Sequence, residues 1–231
     1  MPLTPSWPEE LKQFADELEG STNFQEDLQR LIKKTFTEHQ RIIFNGNGYD
    51  DAWLAEAQRR GLSNLKSAAD ALPAYIAPKN VELFVKHGIY TKEEIQARFE
   101  IHVENYRNIL VIEATTMVDM IRHQILPAVS RYSADLCSRA NAKAAAGVSH
   151  RYESDTAQVI SALTDALMDA CGALEEDLRA MPADPQEAMN FCHNVLTGHM
   201  AEARAAADQL EEHTASEYWP FPVYADLMFS V

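Results

Sequence analysis

The chain has 231 residues, 46% hydrophobic and 24% charged, with a net charge of −15 at pH 7. That composition is ordinary for a soluble globular protein of one or two domains, and no apolar run reaches the roughly 18 residues of a transmembrane helix. The charge is uneven: residues 1–150 carry 17 basic and 20 acidic side chains, residues 151–231 only 3 against 15, which excludes nucleic acid and anionic lipid as expected partners.

Eight glycines are few for this length and lean the chain toward helix. The amino terminus has no basic start followed by an apolar stretch, so no secretory leader is expected. Cys137, Cys171 and Cys192 lie far apart, unlike a disulfide framework or a CxxC metal site. They read as buried free thiols in a reducing cytoplasm.

In chain order, Ser6-Trp-Pro-Glu9 reads as a capping box opening a helix that carries Leu11, Phe14 and Leu18 and ends at Gly20. A second helix starts at Asn23, with Glu26 as cap partner, and runs to about His39. Its predicted buried stripe is Phe24, Leu28, Leu31, Ile32 and Phe36. Asn45-Gly46-Asn47-Gly48 is the strongest turn signal, because both residue types tolerate positive φ. Asp50 caps a helix holding Trp53, Leu54 and Ala57, closed by Gly61. Short helices are predicted over residues 68–72, stopping before Pro73, and over 78–86, ending before Gly88.

The longest predicted element runs from Thr91 to about Gly147. Thr91-Lys-Glu-Glu94 is a capping box, and Ile95, Phe99, Val103, Tyr106, Leu110, Met117, Ile121, Ile125, Val129, Tyr132 and Leu136 recur on one helical face. About 55 residues at 1.5 Å each give a rod of about 80 Å. Pro127 lacks an N–H and crowds the carbonyl of His123, so a kink is predicted there rather than a stop. Two further long helices follow. One has its seam at Val159, Leu163, Leu167, Ala170, Leu174 and Leu178; the other, after the turn at residues 181–185, carries Ala188, Phe191, Val195, Ala203, Ala206 and Leu210.

The expected architecture is therefore all-α. A long central helix joins a three-helix antiparallel bundle at one end (residues 91–215) and is covered by short helices at the other (residues 1–90). The aromatic, Pro-rich tail (residues 216–231) is expected to be extended rather than helical.

Chemistry is sparse. Asn45, Gly46, Asn47 and Gly48 are a weak candidate for a phosphate cradle. They lack a full GxGxxG or a following Gly-Lys-Ser/Thr, and Asp50 and Asp51 put negative charge beside them. None of the eight histidines has Glu three residues before it, so no di-iron pattern and no metal ligands are assigned. Glu113, among apolar residues, is expected to be partly buried and paired with Arg107 or Arg122. No catalytic nucleophile follows from spacing. The residues expected to carry interaction are Trp219, Phe221, Tyr224 and Phe229, whose large apolar area suits docking on the chain's own bundle or on another subunit.

Several runs carry a family resemblance. Glu38-His-Gln-Arg-Ile-Ile-Phe-Asn-Gly-Asn-Gly-Tyr49 and Arg59-Arg-Gly-Leu-Ser-Asn-Leu-Lys-Ser-Ala-Ala-Asp-Ala-Leu72 resemble the carboxy-terminal region of type III glutamine synthetases. So do Lys79-Asn-Val-Glu-Leu-Phe-Val-Lys-His-Gly-Ile-Tyr-Thr91, the stretches from Glu104-Asn-Tyr through Glu113-Ala-Thr-Thr-Met to Gln124-Ile-Leu-Pro-Ala-Val129, and the closing Glu217-Tyr-Trp-Pro-Phe-Pro-Val-Tyr224. The resemblance covers residues from about 24 to 129 and from 216 to 231.

It implies a parent enzyme that joins glutamate and ammonia through a γ-glutamyl phosphate, using ATP and Mg or Mn, and that assembles as a dodecameric ring. The family's metal carboxylates, ATP loop and catalytic arginines lie upstream, in a β-rich region, and none of those motifs occurs here. The chain is then expected to be a cytoplasmic carboxy-terminal structural and assembly piece, inactive alone and without a cofactor of its own. Its partners would be the catalytic region and neighbouring subunits. The competing expectation is an independent helical adaptor. A third is a small-molecule site at Asn45–Gly48 that acts only in the parent.

Overall fold

The computed structural model describes residues 6–229, with side chains for residues 9–223 and 226–229. Among the described residues every regular element is helical, as the all-α expectation requires. The first are α1 (Ser6–Glu19), α2 (Phe24–Glu38), a 3₁₀ turn (Gln40–Ile42), α3 (Asp51–Arg59), α4 (Ala68–Ala71), a 3₁₀ turn (Leu72–Ile76) and α5 (Pro78–Lys86). Then come α6 (Lys92–Met120), a π turn (Ile121–Ile125), α7 (Leu126–Ala145), α8 (Arg151–Ala180), α9 (Pro185–Phe191), a second π turn (Cys192–Leu196), α10 (Thr197–His213) and α11 (Tyr224–Phe229). The chain divides into two compact units, Met1–His102 and Val103–Val231, the division falling within α6.

In the first unit the start of α6 is capped reciprocally. Glu94 N–H donates to Thr91 Oγ1 (3.1 Å), and Thr91 N–H donates to a Glu94 carboxylate oxygen (2.8 Å). Asp50 caps α3 through the Ala52 N–H. The Ser6 side chain lies outside the described residues. The Glu9 carboxylate reaches Lys86 and His87, the latter at 2.9 Å, and so fastens α1 to the end of α5. These donors hold Glu9 down at about 2. Among the described residues of this unit few are buried: Leu31, Ala69, Phe84, Ile95 and Phe99.

The predicted stripe of α2 is corrected here. Leu31 is buried, but Phe24, Ile32 and Phe36 are exposed. The helix is amphipathic, yet the described residues of the unit supply no second layer over most of its apolar face.

In the second unit the predicted face of α6 and α7 is buried or half-buried throughout, with Ala114 and Ala128 added to it. Pro127 does not end the helix. The turn before it widens instead: Leu126 N–H donates to the Ile121 carbonyl, five residues back. Such π turns accommodate local disruption of the α ladder while keeping the backbone bonded. The helix closes at Gly147, whose φ of 69° lets its N–H reach Ala144 and the Val148 N–H reach Lys143. This is a left-handed C-terminal cap, which a residue with Cβ adopts only at a cost.

The α7–α8 connection is pinned by Lys143 and the buried Glu153, whose carboxylate is held below its ordinary range by that ammonium. The seam of α8 is Ile160, Leu167, Ala170, Cys171 and Leu174; the predicted Val159 is 39% exposed. Within the second π turn the buried residues are Cys192 and Leu196, while the predicted Phe191 and Val195 are only half-buried. Beyond it, Ala203, Ala206 and Leu210 are buried as predicted.

The tail is also corrected. Residues 215–223 are non-helical, but Tyr224–Phe229 form α11. The Asp226 carboxylate accepts from the Val223 N–H at 3.2 Å, one half of a capping box.

Candidate functional site

The Asn45–Gly48 run folds as a side-chain turn. Tyr49 N–H donates to Asn47 Oδ1 (3.1 Å) and Asp50 N–H to the Asn47 carbonyl (3.3 Å). The positive φ on which the turn expectation rested does not occur there: among described residues only Gly61, Gly88 and Gly147 have it. The alternating backbone that would aim successive N–H groups at a phosphate is thus not formed by this run. Gly46 gives room to a neighbouring ring instead. A Cβ on it would stand 2.6 Å from Cζ of Phe44.

Phe44 is held because its ring stacks on Trp53 of α3, centroids 4.3 Å apart. Arg60, just past α3, fastens the same segment. Its guanidinium donates to the Ile43 carbonyl (2.8 Å) and the Arg41 carbonyl (3.3 Å), and lies 5.6 Å from the Trp53 ring centroid. Glu56 pairs with Arg60 and, through two hydrogen bonds of 2.6 and 2.7 Å, with Arg59. The two guanidinium groups hold the Glu56 carboxyl at about 2.

Beside this clamp lies a cleft of about 600 Å³ lined by Phe36, Gln40, Arg41, Ile43, Arg59 and Arg60. Sequence reading missed it. Arg59-Arg60 before Gly61 looks like ordinary basic complementation of a helix end, and Arg41 gives no periodic signal.

The four predicted interaction residues separate. Trp219 is buried in the core of the second unit, and Phe221 packs edge-on against it at 6.1 Å. Tyr132 and Tyr218 approach to 5.0 Å, tying the non-helical tail segment to α7. Tyr224 lies in α11, its side chain outside the described residues. Phe229, with Leu227 and Met228, is exposed.

Glu113 is exposed rather than half-buried, and Arg122 pairs instead with Glu175 at 2.9 Å. Among the described residues no group of three His, Cys, Asp or Glu side chains is placed to share a metal ion. Cys171 and Cys192 are buried, and burial pushes both thiols up; Cys137 is exposed, contrary to expectation. No described helix is long and apolar enough to cross a membrane.

The family model described as "Glutamine synthetase C-terminal domain" matches residues 27–144. A glutamine synthetase of Butyrivibrio fibrisolvens is 33% identical over 216 residues, 89% of this chain and 30% of the relative. A type-3 glutamine synthetase of Dictyostelium discoideum is 29% identical, over 87% of this chain and 28% of its own length. A glutamine synthetase of Bacteroides fragilis (strain YCH46) is 25% identical, over 96% and 32%. The chain spans about 30% of the length of these curated relatives.

Proposed function

The chain belongs to the glutamine synthetase C-terminal domain family, and from that premise we propose that it is the helical structural and assembly domain of a type III glutamine synthetase. On this reading the parent enzyme ligates ammonia to glutamate at the expense of ATP, with ATP and Mg or Mn held by residues other than these, in the cytoplasm. The chain alone does not catalyse the reaction. Its partners are the remainder of the subunit and neighbouring subunits of a ring.

The observation that carries the reading is coverage. Similarity runs along 87–96% of this chain but only about 30% of relatives named glutamine synthetase, one of them type-3. Exposed apolar side chains support it: Ile109 and Ile112 on α6, and Leu227, Met228 and Phe229 on α11, are surfaces suited to burial against further protein.

A graft tests the proposal: this chain replaces the matching region of the Butyrivibrio fibrisolvens relative. The expected product forms the same oligomer by light scattering and makes glutamine, and removing residues 217–231 lowers its mass. A folded graft whose assembly is indifferent to that removal overturns the assembly role. Separately, the pure chain is expected to show no γ-glutamyl transfer or ATP hydrolysis, and either activity overturns the non-catalytic assignment.

A further inference from the structure

We propose that the cleft between the end of α2, the 40–44 segment and the end of α3 binds a small phosphate-bearing ligand. Three arginines line it, Arg41, Arg59 and Arg60, and the one carboxylate paired with them is that of Glu56, bonded to Arg59 and Arg60. This local excess of two positive charges stands within a chain whose net charge is −15. Arg41 makes no ion pair among the described residues, so its charge is free for a ligand. A guanidinium fork offers two parallel N–H donors to phosphate oxygens, and a phosphate monoester carries nearly the two negative charges that balance the cleft.

The wall of the cleft is set before any ligand arrives. Arg60 ties down the carbonyls on either side of Ile42, Phe44 is stacked on Trp53, and Gly46 leaves room for that ring. A wall already ordered lowers the entropy lost on binding. Phe36, 61% exposed, and Ile43, 38% exposed, add an apolar flank that a bare structural surface does not need. The flank suits the body of an organic phosphate. The site is independent of the assembly role proposed above, because it lies wholly within the first unit and needs no second subunit.

Equilibrium dialysis of the full chain against radiolabelled inorganic phosphate, pyrophosphate and AMP tests it. Arg41→Glu and Lys66→Glu change the net charge equally, and Lys66 does not line the cleft. Saturable binding is expected, weakened at least tenfold in Arg41→Glu, weakened less in Arg41→Lys, and unchanged in Lys66→Glu, with all variants matching the parent by circular dichroism. AMP binding tighter than phosphate would identify the source as an organic monoester; equal affinities would identify free phosphate. Absence of saturable binding by all three probes overturns the proposal, as does equal weakening by Lys66→Glu, which would reduce it to diffuse electrostatics.

Discussion

His199 on α10 places Nδ1 2.6 Å from Oδ2 of Asp177 on α8, joining two helices of the second unit. The carboxylate's side chain is only 10% exposed and the imidazole's 33%. Hydrogen bonding to Asp177 raises the His199 pKa above its ordinary 6.5, with Glu202 on the next turn adding to the effect. The folded protein therefore holds this proton more tightly than the unfolded chain does. The pair's contribution is complete below about pH 6.5 and is lost as pH rises through the raised native value.

A hydrogen bond to a charged group contributes about 1.5–3 kcal/mol. With a third of the imidazole in water, the lower end applies, about 1.5 kcal/mol. His199→Gln keeps a neutral donor and removes the titration. Urea unfolding should find it destabilised by about 1 kcal/mol near pH 6 and almost equal to the parent near pH 9. Comparing the two proteins cancels the other seven histidines. A difference constant across that range would refute the linkage.

Three other outcomes are expected. Leu174→Ala removes a fully buried side chain from the second unit's core and should cost about 3 kcal/mol in urea unfolding. Gly46→Ala forces the Phe44 ring away and should change Trp53 fluorescence while leaving far-ultraviolet ellipticity intact, since Trp53 is the stacking partner. Under native conditions at about pH 8 an aromatic disulfide reagent should titrate one thiol per chain, Cys137. The buried Cys171 and Cys192, whose thiols are pushed up, should react only on unfolding.

Local signals read well from the residues alone. The Thr91–Glu94 box, the Asp50 cap and the glycine stop at Gly147 depend on neighbours within a turn, and the structure holds each of them. The long stripe of α6 and α7 was equally legible, because periodicity survives as long as the helix continues. What failed needed information from farther away. The exposed side of α2 is amphipathic whether or not anything covers it. Val159 and Ile160 are both apolar, and only the crossing of neighbouring helices selects Ile160. The cleft at Arg41 depends on Arg60 folding back onto carbonyls 17 and 19 residues earlier, which no spacing rule contains. The short helix at Tyr224 was hidden by the prolines before it, although Asp226 was already in place to cap it.

The two widened turns have a consequence for anyone recombining this chain with its relatives. Each inserts a bond to the fifth residue back, Leu126 to Ile121 and Thr197 to Cys192, a local slip that the α ladder on either side does not share. Crossovers placed on either side of a slip preserve the interior, provided both parents slip at the same place. A crossover inside one, or a partner lacking it, would break that wider bond beside the buried Ile121 and Ile125 or Cys192 and Leu196.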